Sequence, residues 1–140
     1  NESKLLDVLA KVGAELGRDL SSIPIIMADV SDVRSLEAMA ARAKLVVNTV
    51  GPYRFFGRPV VKACVEAGTH HIDISGEPVY IEDAAVSFDA EARKKGALII
   101  STCGWDSIPA DLGVDFLKRH FEGRLHSVET FMCTKPGPEV

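Results

Sequence analysis

The stretch VVNTVGPYRFFG, residues 46–57, decides the fold class. Apolar residues run into Asn48, the chain breaks at Gly51-Pro52, and the cluster Tyr53-Arg54-Phe55-Phe56 leads to a second break at Gly57. Val60, Val61, Cys64 and Val65 then recur at helical spacing. The pattern predicts a buried strand, a polar loop over residues 48–57 and a helix. In parallel α/β sheets ligands sit in the loops at the carboxyl ends of the strands. This loop is therefore the expected floor of a site.

Outward from that stretch the same rhythm repeats. Leu5, Leu6, Leu9, Val12 and Leu16 make one helical face, with Gly17 placed to stop it. Residues 23–28 form a β-branched run ending at Asp29 and predict a buried strand. Ser31 or Asp32 is placed to cap a helix with the face Val33, Leu36, Met39, Ala40 and Ala43. Strands are predicted at 45–50, 70–74 and 97–101. Helices follow at about 58–67, with Pro59 in the first turn and Gly68 at the end, and over the face Ile81, Ala84, Ala85, Phe88 and Ala92, closed by Gly96. Ser107 and Pro109 open a helix reaching about Phe121, and residues 125–133 read as a fifth strand. A strand-helix alternation of this kind predicts a parallel sheet with helices on its faces.

The totals narrow the function. At 140 residues the chain holds one domain, or one domain and part of another. A net charge of −4 with no basic stripe argues against a nucleic-acid surface. No apolar run approaches the roughly 20 residues a membrane span needs. Cys64, Cys103 and Cys133 are too scattered for a disulfide framework or a zinc knuckle and suggest a reducing, intracellular setting. His70 and His71 point to opposite faces of a strand, so no metal site is expected.

Four strand-end loops carry the candidate chemistry. Asp29, beside Val30, can meet a ribose or adenine edge, or cap the next helix. In residues 48–57, Gly51 permits close backbone approach and Tyr53 offers a proton or a hydrogen bond; the bland alternative is a turn with Tyr53 packed away. Residues 73–77, DISGE, bring two carboxylates and a serine; Asp73 reads as a structural hydrogen-bonding group, and Glu77 as a proton carrier or a first-turn charge. In residues 103–111, CGWDSIPAD, Trp105 can form a ligand platform, while Asp106 and Ser107 serve either the site or the helix start. No G-x-G-x-x-G or G-x-x-G-x-x-G occurs, so the glycine turn that cradles a pyrophosphate is not in this sequence.

NTVGPYRFFGRPVVKAC, DISGEP and GWDSIPADLG, in this order, resemble the saccharopine dehydrogenase-like oxidoreductases, including bacterial relatives named trans-acting enoyl reductases. The resemblance implies an α/β fold: a partial Rossmann-type parallel sheet lacking its first two strands, over residues 1–121, then the start of a second, α+β domain over residues 122–140. In the strand order 3-2-1-4-5-6, residues 23–28 then lie away from residues 45–50 and without a partner. The implied cofactor is NADP or NAD, with NADP favoured. Asp29 and Val30 fall near the adenine, and Val50, Gly51, Pro52 and Tyr53 near the nicotinamide and its ribose. Ser75, Gly76, Glu77, Gly104, Trp105, Asp106 and Ser107 fall on the substrate side, with Tyr53, Glu77 and Asp106 as the candidate proton partners. The implied reaction is hydride transfer to a carbonyl, an imine or an activated double bond on a small or lipid-like substrate. The rival implication is a non-catalytic binding or scaffold module on lipid surfaces. A cytoplasmic, organellar or lipid-droplet setting and self-association complete the expectations.

Overall fold

The computed structural model describes residues 1–135 and residue 137. Helices α1 (Glu2–Leu16) and α2 (Val33–Ala41) precede the first strand, β1 (Leu45–Asn48). Helix α3 (Tyr53–Ala67) leads to β2 (His70–Asp73), α4 (Pro78–Lys95) to β3 (Ile99–Ile100), and α5 (Ile108–His120) follows. The three strands are parallel in the order β1-β2-β3, with Val46 opposite His71 and His71 opposite Ile99. The alternation read from the sequence thus yields a mixed α/β, Rossmann-like parallel sheet.

Local signals explain where the helices begin and end. The Asp32 carboxylate accepts the Arg34 amide at 3.0 Å and caps α2. Gly68 and Gly96 close α3 and α4 in the left-handed region, at φ 71° and 69°, which only glycine enters without a Cβ penalty.

The core lies on one face of the sheet, and α3 runs through its middle. Val61 and Val65 pack with Tyr53, Tyr80, Ala84, Ala92 and Ala97 toward α4. Val60, Ala63 and Cys64 pack with Leu36 and Ala40 toward α2. Each buried valine contributes about 1.5–3 kcal/mol. The approach of α3 to α4 is set by Gly57, where an added Cβ would lie 2.4 Å from Cε2 of the Tyr80 ring.

The structure corrects several expectations. The loop of residues 48–57 ends at Pro52, and the aromatic cluster is the first turn of α3. Pro59 therefore sits inside the helix, past its first turn, where burial of Val60, Val61, Cys64 and Val65 outweighs its missing N–H. Residues 23–28 form no strand, since a strand exists through ladder bonds and no neighbour supplies them here. Residues 125–133 likewise make no ladder, against the fifth strand expected there. Of the expected second domain at 122–140, positions 136 and 138–140 lie outside the described residues. The apolar face of α1 is largely exposed rather than packed, with Leu6 and Leu16 more than half accessible.

Candidate cofactor and substrate site

The carboxyl ends of the three parallel strands bring three loops to one edge: residues 49–52 after β1, 74–77 after β2 and 101–107 after β3. Asp73, the last residue of β2, ties two of them together. Its Oδ1 accepts the Ser75 amide at 3.0 Å and the Thr102 amide at 3.2 Å. Its Oδ2 accepts the hydroxyls of Tyr80 at 2.8 Å and Ser101 at 3.0 Å, and its carbonyl accepts the Cys103 amide at 2.7 Å. Burial alone would raise this carboxyl, but the hydrogen bonds outweigh burial and hold it below its ordinary value. Tyr80 is pushed up by burial and by the adjoining carboxylate, so it stays a donor. Thr102, β-branched yet at φ 60°, stores strain of about 1–3 kcal/mol where the loop leaves Ser101. Two residues before Asp73, fully buried His71 holds both ring nitrogens without a partner, its Nδ1 4.0 Å from Asp73 Oδ2. Burial lowers its pKa below the ordinary 6.5, against the opposing pull of the carboxylate.

Tyr53 takes the packed position that its sequence reading held as the alternative, and Glu77 caps the helix that Tyr53 opens. Pro52, at the N-cap of α3, provides no side-chain cap. The Glu77 carboxylate takes its place from across the site, accepting the Tyr53 amide at 2.8 Å and the Arg54 amide at 2.9 Å. Tyr53 is buried, its ring 5.5 Å from that of Tyr80, and its hydroxyl donates to the Asn48 carbonyl at 2.9 Å. Burial, more than any other cause, raises its pKa. Its phenol therefore points into the core, not into the open loop. Asn48 also fixes that loop, since its Oδ1 accepts the Val50 amide at 3.0 Å. Asn48 and Tyr80 were not singled out from the sequence; the available signal was a polar strand end and an aromatic in the first turn after DISGEP.

The remaining candidates divide into groups. Val50, Gly51 and Pro52 form an exposed ledge, and a Cβ at Gly51 would meet only the Tyr53 ring, at 3.7 Å. Ser75 is buried, Gly76 exposed, and the Asp106 carboxylate stands over Gly76, 3.3 Å from where its Cβ would be. Gly104 packs on Ile74, its Cβ position 3.0 Å from that side chain, so the two substrate-side loops touch. Trp105 is exposed, and Ser107 is the N-cap of α5 without a side-chain cap bond. Asp29 folds its carboxylate onto the Ser31 hydroxyl at 2.6 Å and amide at 2.8 Å, and these bonds lower its pKa. Val30 packs against the Leu36 and Val60 cluster. Gly51, Gly76, Asp106 and Trp105 thus gather at one edge, while Tyr53 and Glu77 serve as its internal supports.

These residues fit the two ends of a dinucleotide rather than its middle. The open ledge at Val50–Pro52 offers an apolar rest for a ring and backbone groups for a ribose. The helix N-terminus beside it, the usual seat for a phosphate, is already occupied by the Glu77 carboxylate.

The family model described as the saccharopine dehydrogenase NADP binding domain matches residues 6–100. The lipid droplet localized protein of Caenorhabditis elegans is 49% identical over 138 residues, which cover 99% of this chain and 32% of that one. The saccharopine dehydrogenase-like oxidoreductase of Homo sapiens is 45% identical over 141 residues, covering 99% of this chain and 33% of that one. A Mycobacterium tuberculosis protein named as a trans-acting enoyl reductase is 46% identical over 99 residues, covering 71% of this chain and 24% of that one. The chain thus spans about a third of the length of the first two relatives. No solved structure matches it. The chain belongs to the saccharopine dehydrogenase-like oxidoreductase family, through an NADP-binding domain whose cofactor class is a nicotinamide dinucleotide.

Proposed function

We propose that this chain is the cofactor-binding part of an oxidoreductase that moves hydride between NADP(H) or NAD(H) and a carbonyl, imine or activated double bond. The observation that carries the reading is the convergence of the 49–52, 74–77 and 101–107 loops at one strand edge, the first two of them inside the residues that the NADP-binding family model matches. The bound dinucleotide supplies the hydride. Val50, Gly51 and Pro52 hold its nicotinamide end, and Asp29 and Val30 lie toward the adenine. Gly76, Gly104, Trp105 and Ser107 face the substrate, over the buried Ser75. Asp106 is the proton partner, because its exposed carboxylate is free of the internal bonds that engage Tyr53 and Glu77.

The test is consumption of NADPH by the full-length protein against a panel of aldehydes, ketones, imines and enoyl thioesters. Asp106→Asn is expected to lower turnover by about 10²–10⁴-fold, the usual cost of losing a proton-transfer group. No turnover on any of the four classes would overturn the reading. This chain alone, without a glycine turn, should bind NADPH no tighter than millimolar, as two end contacts of about 1–2 kcal/mol imply.

The name of the C. elegans relative favours a second reading, a non-catalytic binding or scaffold module at a lipid surface. Vesicle binding without NADPH-dependent turnover would select it.

A further inference from the structure

The Glu77 carboxylate closes the amino end of α3, yet Glu77 itself is the N-cap of α4. The first N–H groups of a helix have no partners within it, and at α4 no side chain supplies one. At α3 both oxygens of one carboxylate do so, at 2.8 and 2.9 Å, from 24 and 23 residues away. Such charge-assisted bonds are short and about twice as strong as neutral ones, and the positive end of the helix dipole adds to them. The consequence is mechanical. The segment carrying Ser75 and Gly76, with Asp106 above it, becomes fastened to the segment carrying Gly51 and Pro52. Asp73, at the other end of DISGE, fastens the same segment to Ser101 and Thr102.

We propose that Glu77 is a positioning residue, whose carboxylate clamps the nicotinamide-side loop to the substrate-side loop through the amides of Tyr53 and Arg54. The role rests on the cofactor reading above, since it requires that residues 50–52 touch the nicotinamide half. Glu77 does not exchange a proton with substrate. It fixes the distance between the two halves of the site, and it excludes a phosphate from the α3 N-terminus. The dinucleotide's charged middle must then be held by other groups.

Amide hydrogen exchange on this chain tests the clamp directly. The Tyr53 and Arg54 amides should exchange as slowly as amides inside α3, while Val79 and Tyr80, at the uncapped start of α4, exchange fast. Equal, fast exchange at all four positions in the unaltered chain would overturn the clamp without any variant. Glu77→Gln keeps one acceptor and sets an NH₂ against the other amide. It should release the first-turn amide of α3 that faces the NH₂ by about tenfold or more, the ratio that one hydrogen bond to a charged group corresponds to. Glu77→Asp, shorter by one methylene, should release only one of the two.

Ligand binding to the full-length protein tests the positioning role. Glu77→Gln should weaken NADPH by about tenfold and leave adenosine 2′,5′-bisphosphate, which lacks the nicotinamide half, within about twofold. Equal weakening of both ligands, or of neither, would reduce Glu77 to a stabilising cap and overturn the proposal. Failure of the unaltered protein to bind either ligand would instead remove the cofactor reading, and the positioning role with it, while the exchange data would still report the clamp.

Discussion

The two faces of the three-stranded sheet are built from the same few residues and meet opposite surroundings. Toward α2, α3 and α4 the strands send Val46 and Ile99 into packed clusters, Asn48 and Asp73 into hydrogen bonds, and His71 into full burial with both ring nitrogens unpartnered. Away from them, Leu45, Val47, Ile74, Leu98 and Ile100 remain 46%, 57%, 50%, 62% and 49% exposed. Parallel sheets are normally buried on both faces, and their strands read as near-continuous apolar runs for that reason. The strands here are therefore written for two covers, and only one is supplied by the helices that touch the sheet. The covered face can afford buried polar groups because every loop beyond it is fastened down; the open face carries none of that machinery. The Asp73 net lies on the covered face and runs into the candidate site.

The largest expected effect breaks that net. Asp73→Ala would strand the Ser75 and Thr102 amides and free the Tyr80 and Ser101 hydroxyls, where Ser75 and Tyr80 are buried and Ser101 and Thr102 half-buried. Loss of a buried, fully bonded carboxylate costs about 3–5 kcal/mol. Urea unfolding should show the midpoint collapse, and a loss below about 1 kcal/mol would mean the carboxylate is solvated rather than central. Gly57→Ala attacks the same face by packing alone. The added methyl falls 2.4 Å from the Tyr80 ring, so α3 and α4 must part or the ring must turn, at about 1–3 kcal/mol. The matched control, Gly113→Ala in α5, meets nothing within 4 Å and should be neutral or slightly stabilising.

How much of this was legible in the chain depends on how local the signal was. The Asp32 cap, the Gly68 and Gly96 stops and the αβ alternation are written within a few residues and are found where expected. Asp73 was readable as a structural hydrogen-bonding group because it lies inside the strand predicted at 70–74, though its partners at Tyr80 and Ser101 were not. The start of α3 was not readable. Gly51-Pro52 and four bulky residues look like a loop, and the carboxylate that satisfies the first helical amides lies 24 residues on. Residues 23–28 misled for the complementary reason: their composition suits a strand, but a strand needs a neighbour.

A smaller effect distinguishes the faces by pH. His71, on the covered face, is held neutral because burial lowers its pKa below 6.5, while the unfolded chain takes up the proton at the ordinary value. The unfolded state then binds more protons as pH falls below 6.5, so stability declines, by at most about 1.4 kcal/mol per pH unit, until the folded pKa is reached. His71→Leu should flatten the curve in that window. Asp73 acts further down: its lowered pKa contributes stability that is present above 3.8 and lost as pH falls through the folded value. A slope unchanged in His71→Leu would place the titrating group elsewhere.

The smallest effect on stability is expected on the open face, and it is the sharpest test of the comparison. Val47, Ile72 and Ile100 lie in register across the three strands and form one apolar row. Replacing Val47 and Ile100 together by threonine keeps β-branching, and hence strand preference, while removing a methyl at the first and an ethyl at the second from that row. Because both sites are about half accessible, little burial is lost, and exposed substitutions of this kind stay within about 0.5 kcal/mol each. Contiguous apolar surface does drive association, so the double variant should lower the oligomer fraction seen by sedimentation while the urea midpoint barely moves. The same pair of threonines on the covered face, at Val61 and Val65, would bury two hydroxyls and cost several kcal/mol. A loss above about 2 kcal/mol from the open-face pair would show that this surface is already packed in solution. The asymmetry between the faces would then belong to an assembly and not to the single chain.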